Sequence, residues 1–159
     1  GANMGAMVSD PQRDRAEGLV EAAAAEGATV ATGGRRLNLP GSFLAPTVIS
    51  GVTPDMQIAG TEVFGPVLSV LKTGSEDEAI NIANSTEYGL VGGIFTADID
   101  AAHRAARCIR AGQIFINEWY AGGVETPFGG YGKSGYGREK GREALWNYVQ
   151  SKNIAYRTR

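Results

Sequence analysis

Hydrophobic positions along this chain come in two textures. Several stretches carry apolar residues on a helical stripe among charges, and between them lie short continuous apolar runs bounded by Gly, Pro or Asn. The first helical stretch opens at Ser9-Asp10-Pro11-Gln12. Ser or Asp can cap there, Pro suits the first turn, and Ser9 with Gln12 has capping-box spacing. The stretch is rich in Ala and Glu and meets a stop at Gly27.

A short strand follows at 28–32, then Gly33-Gly34 opens an irregular stretch to Phe43. Pro46 to Ser50 reads as a second strand, ended by the turn Thr53-Pro54-Asp55. Val67 to Lys72 is an apolar run rich in branched residues, of the kind buried in a sheet. Ser75-Glu76-Asp77-Glu78 is a second capping box, with acids where the helix dipole favours them. Its helix carries Ala79, Ile80, Ile82 and Ala83 and stops near Asn84.

A strand is expected from Leu90 to Phe95. Asp98 then caps a helix that Gly112 ends, with Ile99, Ala102, Ala106 and Ile109 on one face. Gln113 to Asn117 is the next strand, and a Gly-rich loop runs from Ala121 to Gly137. A helix around Glu139 to Trp146 and a strand from Ser151 to Arg157 complete the pattern. Strands alternating with helices predict an α/β fold, with a mainly parallel sheet flanked by helices on both faces.

Composition narrows the class without fixing the chemistry. The 159 residues are 43% hydrophobic and 20% charged, as in ordinary globular proteins. A chain of this length buries roughly 68–70% of its unfolded surface, so neither metals nor disulfides are required. The net charge of −2 gives no broad attraction to nucleic acid or anionic membrane. There is no run of membrane-spanning length and no signal-peptide pattern. The one cysteine cannot form an internal disulfide, which agrees with a reducing, cytoplasmic setting. The chain begins Gly-Ala-Asn rather than with Met, and its first residues carry no fold argument.

Candidate chemistry is sparse. Cys108 lies away from the apolar stripe of its helix, with Arg107 and Arg110 nearby and no His spaced to activate it. His103, the only histidine, gathers neither a triad nor a metal cluster. Gly130-Tyr131-Gly132-Lys133-Ser134-Gly135 spells G-x-G-x-x-G, but a Pro-Phe loop precedes it and no acid follows about twenty residues on. The phosphate-loop reading of Gly132-Lys133-Ser134 fails too, because Pro127 stands where its first glycine belongs.

Thr61-Glu62-Val63-Phe64-Gly65-Pro66-Val67 is more informative. In an extended segment Glu62 and Phe64 share a face, an arrangement suited to a ring compound bearing hydroxyls: the acid accepts hydrogen bonds and the ring stacks. Spacing alone favours a plainer reading, a strand end with a solvated acid and a core Phe. Trp119, Tyr120 and Phe128 either line one apolar pocket or serve as core or interface aromatics.

Taken in order, a set of motifs resembles the C-terminal part of the NAD(P)-dependent aldehyde dehydrogenase superfamily. They are Pro46-Thr47-Val48, Thr53-Pro54-Asp55-Met56, Glu62-Val63-Phe64-Gly65-Pro66-Val67, Asn84-x-Thr86-x-Tyr88-Gly89-Leu90, Ala111-Gly112, Asn117 and Pro127-Phe128-Gly129-Gly130-x-x-x-Ser134-Gly135-x-Gly137-Arg138-Glu139. The likeness runs from about Met4 to the end. It implies that residues 1–147 form the rear of the catalytic domain and 148–159 a strand lent to subunit association in a dimer or tetramer.

The resemblance also implies a reaction. In the family a cysteine thiolate attacks the aldehyde, the thiohemiacetal passes hydride to the nicotinamide, and a glutamate-activated water releases the acid. The nucleophile, that glutamate and the dinucleotide-binding domain all precede the matching segment, and Cys108 matches none of them. Glu62 matches the glutamate that accepts hydrogen bonds from the nicotinamide-side ribose, and Phe64 the aromatic near the nicotinamide. Phe128 matches a wall of the aldehyde channel; Trp119 lies in the neighbouring variable loop, with Gly122.

The expectation is therefore part of an enzyme that oxidises an aldehyde with NAD or NADP, itself inactive, whose partners are the aldehyde, the rest of the same polypeptide and further subunits. The alternative is a non-catalytic α/β module that oligomerises or regulates a full-length partner. A nucleotide-binding domain using the glycines at 130–135 is a second rival.

Overall fold

The computed structural model describes residues 4–120 and 122–158. They form two compact units, the first ending at Ser75 and the second beginning at Glu76. Ala121, at the start of the predicted Gly-rich loop, and Arg159, at the end of the predicted tail, lie outside the described residues.

The first unit begins with helix α1 (Asp10–Ala25), capped by Ser9, whose hydroxyl accepts from the Gln12 N–H. Ala16, Leu19, Val20 and Ala23 are buried along one stripe of α1, at the spacing of an amphipathic helix. The chain leaves α1 through Gly27 at φ 107°, the left-handed turn a C-terminal glycine supplies.

Three strands follow: β1 (Thr29–Thr32), β2 (Thr47–Ser50) and β3 (Val67–Val70). Their order is β1-β2-β3, with β1 antiparallel and β3 parallel to the central β2. A one-turn helix, α2 (Gln57–Gly60), connects β2 to β3. Ile49 on β2 is fully buried against Leu19, Val20, Ala23, Val52, Met56 and Ile58. Thr47, also buried, is satisfied: its hydroxyl donates to the Ala45 carbonyl and accepts from the Gly34 N–H.

The second unit holds α3 (Glu76–Ala83), β4 (Tyr88–Gly89), β5 (Val91–Ile94), α4 (Ile99–Cys108), β6 (Gln113–Ile116) and β7 (Tyr131–Gly132). Strands β5 and β6 pair in parallel across the α4 crossover, while β4 and β7 form a short antiparallel pair. Asp98 caps α4 by accepting from the N–H groups of Asp100 and Ala101. Helix α4 buries Ala102 and Ala105, whereas Ile99, expected on the stripe, is mostly exposed at the first turn.

The α/β reading and both parallel pairs agree with the pattern of the sequence. Two further expectations do not. Strand β3 was expected to be covered on both faces, yet Leu68 and Val70 are exposed and only alternate residues are half-buried. The helix expected at 139–146 is instead a 3₁₀ turn at Glu143–Tyr148. Lys140 and Gly141 both have positive φ, which no right-handed helix tolerates. Residues 151–157, expected as a strand lent to another subunit, lie exposed and form no ladder among the described residues of this single chain. Among the described residues no helix is long and apolar enough to cross a membrane.

Candidate functional site

In the first unit, the segment from Glu62 to Pro66 leads directly into the sheet. The Pro66 carbonyl accepts from the Thr47 N–H at 2.8 Å and begins the β2–β3 pairing. The Val67 N–H donates to the Gly65 carbonyl at 2.8 Å, so the entry is a tight turn. Before it, Thr61 is extended, but Phe64 sits at φ 55°, in the left-handed region. Regular strand geometry therefore ends at Phe64, while Glu62 and Phe64 are both exposed on either side of half-buried Val63. The plainer reading fails for the ring, because Phe64 is 72% exposed rather than in the core. Glu62 is exposed, as both readings required.

A left-handed Phe costs on the order of 1–3 kcal/mol and persists only where its surroundings over-determine it. Here the surroundings are two side chains from the start of α1. The Gln12 amide donates to the carbonyls of Val63 (3.0 Å) and Phe64 (3.2 Å). The Arg15 guanidinium donates to the carbonyls of Glu62 (3.2 Å) and Val63 (3.3 Å). Sequence reasoning missed both residues. Gln12 was assigned to the capping box, reaching back to Ser9; its side chain turns instead to a segment 51 residues away in the chain.

In the second unit, Trp119 and Tyr120 follow β6 on a turn in which Asn117 and Tyr120 both have positive φ. The Trp119 ring packs on buried Phe115 with centroids 5.6 Å apart, and Tyr120 closes the cluster at 6.2 Å from Trp119. Gly93 on β5 makes room for it: a Cβ there would come within 2.6 Å of the indole. Phe128 is half-buried and pinned by its backbone, which exchanges two 2.7 Å hydrogen bonds with Glu139. It lines a cleft of about 490 Å³ with Leu90, Ser134, Tyr136, Arg138 and Asn147 among others. Trp119 is not part of that cleft.

The remaining candidates lose ground on geometry. Cys108 is exposed at the end of α4, and His103 is exposed on the same helix. Among the described residues no cluster of His, Cys, Asp or Glu is placed to hold a metal. The glycine run lies on β7 and a turn rather than at the start of a helix, so no helix N-terminus is there to receive a phosphate. Lys133 is engaged by Glu87, whose hydrogen bond and charge raise the lysine pKa above its ordinary value.

These residues make an α/β chain with an acid and an aromatic presented on a braced turn, a cleft lined by Phe128, and a separate aromatic cluster around Trp119. The family described as the aldehyde dehydrogenase family matches residues 1–154, and the chain belongs to it. It is 48% identical over 155 residues to a betaine aldehyde dehydrogenase of Brucella anthropi, covering 95% of this chain and 32% of that protein. The fold is similar to the crystal structure of betaine aldehyde dehydrogenase from Staphylococcus aureus in complex with NAD⁺, with TM-score 0.90 and 41% identity over 96% of this chain and 31% of that one. It is equally similar to an NAD-dependent aldehyde dehydrogenase from Sinorhizobium meliloti, with TM-score 0.90 and 44% identity over 94% of this chain and 30% of that one. The chain thus spans about a third of the length of the curated relatives it matches (32% for the Brucella protein).

Proposed function

We propose that the chain is the C-terminal part of an aldehyde dehydrogenase that oxidises an aldehyde to a carboxylic acid with NAD or NADP. Residues 1–147 belong to the catalytic domain, and 148–159 form a tail that pairs with another subunit of a cytoplasmic dimer or tetramer. The nucleophilic cysteine and the general-base glutamate lie outside these 159 residues, so this chain alone does not turn over.

The observation that carries the reading is the braced turn within a family match over 1–154: Glu62 and Phe64 stand exposed on it while their backbone is held from α1. That pair suits a nicotinamide nucleotide. A carboxylate accepts hydrogen bonds from both hydroxyls of a ribose, and an exposed ring offers a face to an aromatic heterocycle. When bound, the dinucleotide accepts a hydrogen with its electron pair from the substrate carbon. Glu62 holds the ribose, Phe64 limits where the ring can swing, and Phe128 and Trp119 border the path of the aldehyde. The names of the relatives make betaine aldehyde the first substrate to assay.

The test compares aldehyde-dependent NADH and NADPH formation by the 159-residue chain and by a full-length enzyme carrying it. The expected result is turnover by the full-length enzyme only. Substantial turnover by the chain alone overturns the placement of the nucleophile. No turnover by either, across an aldehyde panel, favours the non-catalytic oligomerisation or regulatory module.

A further inference from the structure

Lys140 is placed by its neighbours. The Glu139 backbone exchanges two 2.7 Å hydrogen bonds with Phe128, and the Gly141 N–H donates to the Val124 carbonyl at 2.8 Å. Between those two tethers Lys140 is left at φ 57°, a left-handed conformation that a non-glycine residue keeps only where its surroundings impose it. The ammonium lies over the Phe128 ring, 5.7 Å from its centroid and within cation–π range. Among the described residues no carboxylate forms an ion pair with it.

Phe128 is also a wall of the cleft of about 490 Å³, which Lys140 itself does not line. The lysine charge therefore acts on the cleft through the ring it covers. Two other charged residues belong to the lining, Arg138 and Glu139. The Arg138 guanidinium is engaged: it donates to the carbonyls of Gly130 and Gly137 and lies over the Tyr131 ring. The Glu139 carboxylate offsets its formal charge, which leaves the Lys140 ammonium as the excess at this wall. A ring that already faces one cation attracts a second poorly, because the quadrupole is shared and the two charges repel.

We propose that Lys140 is a specificity-determining residue that biases this cleft against aldehydes carrying a cation, a quaternary ammonium above all, and toward neutral or carboxylate-bearing ones. This rests on the reading of the Phe128 cleft as the path of the aldehyde, and it narrows the substrate class of that same site. It also runs against what the names of the relatives suggest, since betaine aldehyde carries a trimethylammonium group.

The experiment uses the full-length enzyme carrying this segment, with variants Lys140→Met, Lys140→Arg and Phe128→Ala. The probes are betaine aldehyde and its neutral carbon isostere, which has a tert-butyl group in place of the trimethylammonium. Each is measured as a substrate, or as a competitive inhibitor of a faster aldehyde, in low salt and again near 1 M, where the screening length is about 3 Å. The readout is the ratio of the two specificity constants within one enzyme, so that differences in intrinsic reactivity cancel between variants. Lys140→Met is expected to shift that ratio about threefold to fivefold toward betaine aldehyde in low salt, the scale of one exposed cation–π contact. The shift shrinks in high salt, the KM for NAD⁺ holds, and Lys140→Arg keeps the wild-type ratio. An Arg variant that behaves like the Met variant overturns the proposal, as does an equal loss on both probes with a lowered unfolding temperature. If Phe128→Ala changes neither probe, the reading of the cleft falls and the proposal with it. If Phe128→Ala impairs their use and Lys140→Met leaves the ratio at its wild-type value, only the charge selection falls.

Discussion

Asn117 and Thr96 exchange two hydrogen bonds of 2.8 Å: the Asn117 carboxamide oxygen accepts from the Thr96 N–H, and its amide nitrogen donates to the Thr96 carbonyl. The side chain thus imitates one more rung just beyond the parallel pair β5 and β6, where the Asn117 N–H donates to the Ile94 carbonyl. Asn117 lies at φ 54°, a region Asn tolerates better than most residues. Asn117→Asp keeps the shape and the acceptor but removes the donor and sets a charge against the Thr96 carbonyl. We expect it to cost about 1–2 kcal/mol, and Asn117→Ala about as much, by urea unfolding. An Asn117→Asp stability within 0.3 kcal/mol of wild type, roughly the error of such a comparison, would show that the paired bonds contribute nothing net.

Two glycines test packing in opposite directions. A Cβ on Gly112 would fall 1.6 Å from the Gly129 carbonyl oxygen, a backbone atom that cannot step aside as a side chain can. Gly112→Ala is expected to destabilise by about 3 kcal/mol or more and to displace Phe128, one residue before Gly129. Gly18 is exposed in the middle of α1, with nothing within 4 Å of a built Cβ. Gly18→Ala should stabilise by about 0.5–1 kcal/mol, because alanine removes the entropic cost of a helical glycine. Thermal unfolding of both variants reads the two signs; a destabilised Gly18→Ala would contradict the open space beside α1.

How much of this could be read along the chain depends on the range of the interaction. Helix α1 was legible because its signals are local: Ser9 and Pro11 at one end, Gly27 at the other, and a stripe from Ala16 to Ala23 between them. The α4 crossover between β5 and β6 was legible for the same reason, since Asp98 caps it within three residues. The turn at Phe64 was not, because its backbone is decided by donors 47 to 52 residues earlier, and Q-x-x-R in a first helical turn has no special meaning by itself. Trp119 was similarly opaque: the gap it fills exists because residue 93, on another strand, is a glycine. The tail is a different case: an extended segment from Ser151 to Arg157 has a capacity to pair, and the edge that would accept it is not written in the segment itself.

Acid should weaken the fold through a small set of hydrogen-bonded carboxylates. The Ala101 N–H, and then that of Asp100, hold the Asp98 carboxyl below its ordinary pKa. The Ser42 hydroxyl, followed by Arg13, does the same for Asp10. The Thr53 hydroxyl acts likewise on Asp55. For each, the folded pKa is depressed, so the unfolded chain takes up protons first as the pH falls. The stabilisation is present in full above the unfolded value and disappears as the pH drops through the folded one. Unfolding temperatures should therefore hold near neutrality and decline below about pH 4, the ordinary range of Asp. Asp98→Asn retains a good cap without the titration, and should flatten part of that decline. An unchanged acid slope in Asp98→Asn would remove the α4 cap from the set.

Phe128 offers a test of the substrate side that is independent of the cofactor turn. Its ring lines the cleft of about 490 Å³ while its backbone is fixed by the two bonds to Glu139. Phe128→Ala therefore removes the ring without removing the pairing that positions the residue. In a full-length enzyme the expected change is a higher KM for aldehydes with bulky apolar groups, by about tenfold for the loss of roughly 1.4 kcal/mol of apolar contact. The KM for NAD⁺ should be unchanged, because the ring lies apart from the turn that carries Glu62 in the sequence and lines only this cleft. Trp119→Ala provides the second arm. Its ring packs on Phe115 and over Gly93 rather than in the Phe128 cleft, so its removal opens space in the β5–β6 layer and lowers stability as well as aldehyde affinity. Steady-state kinetics over a graded series of aldehydes, alongside thermal unfolding, separates the two. Equal aldehyde constants for Phe128→Ala and wild type across the whole series would take the ring out of the substrate path.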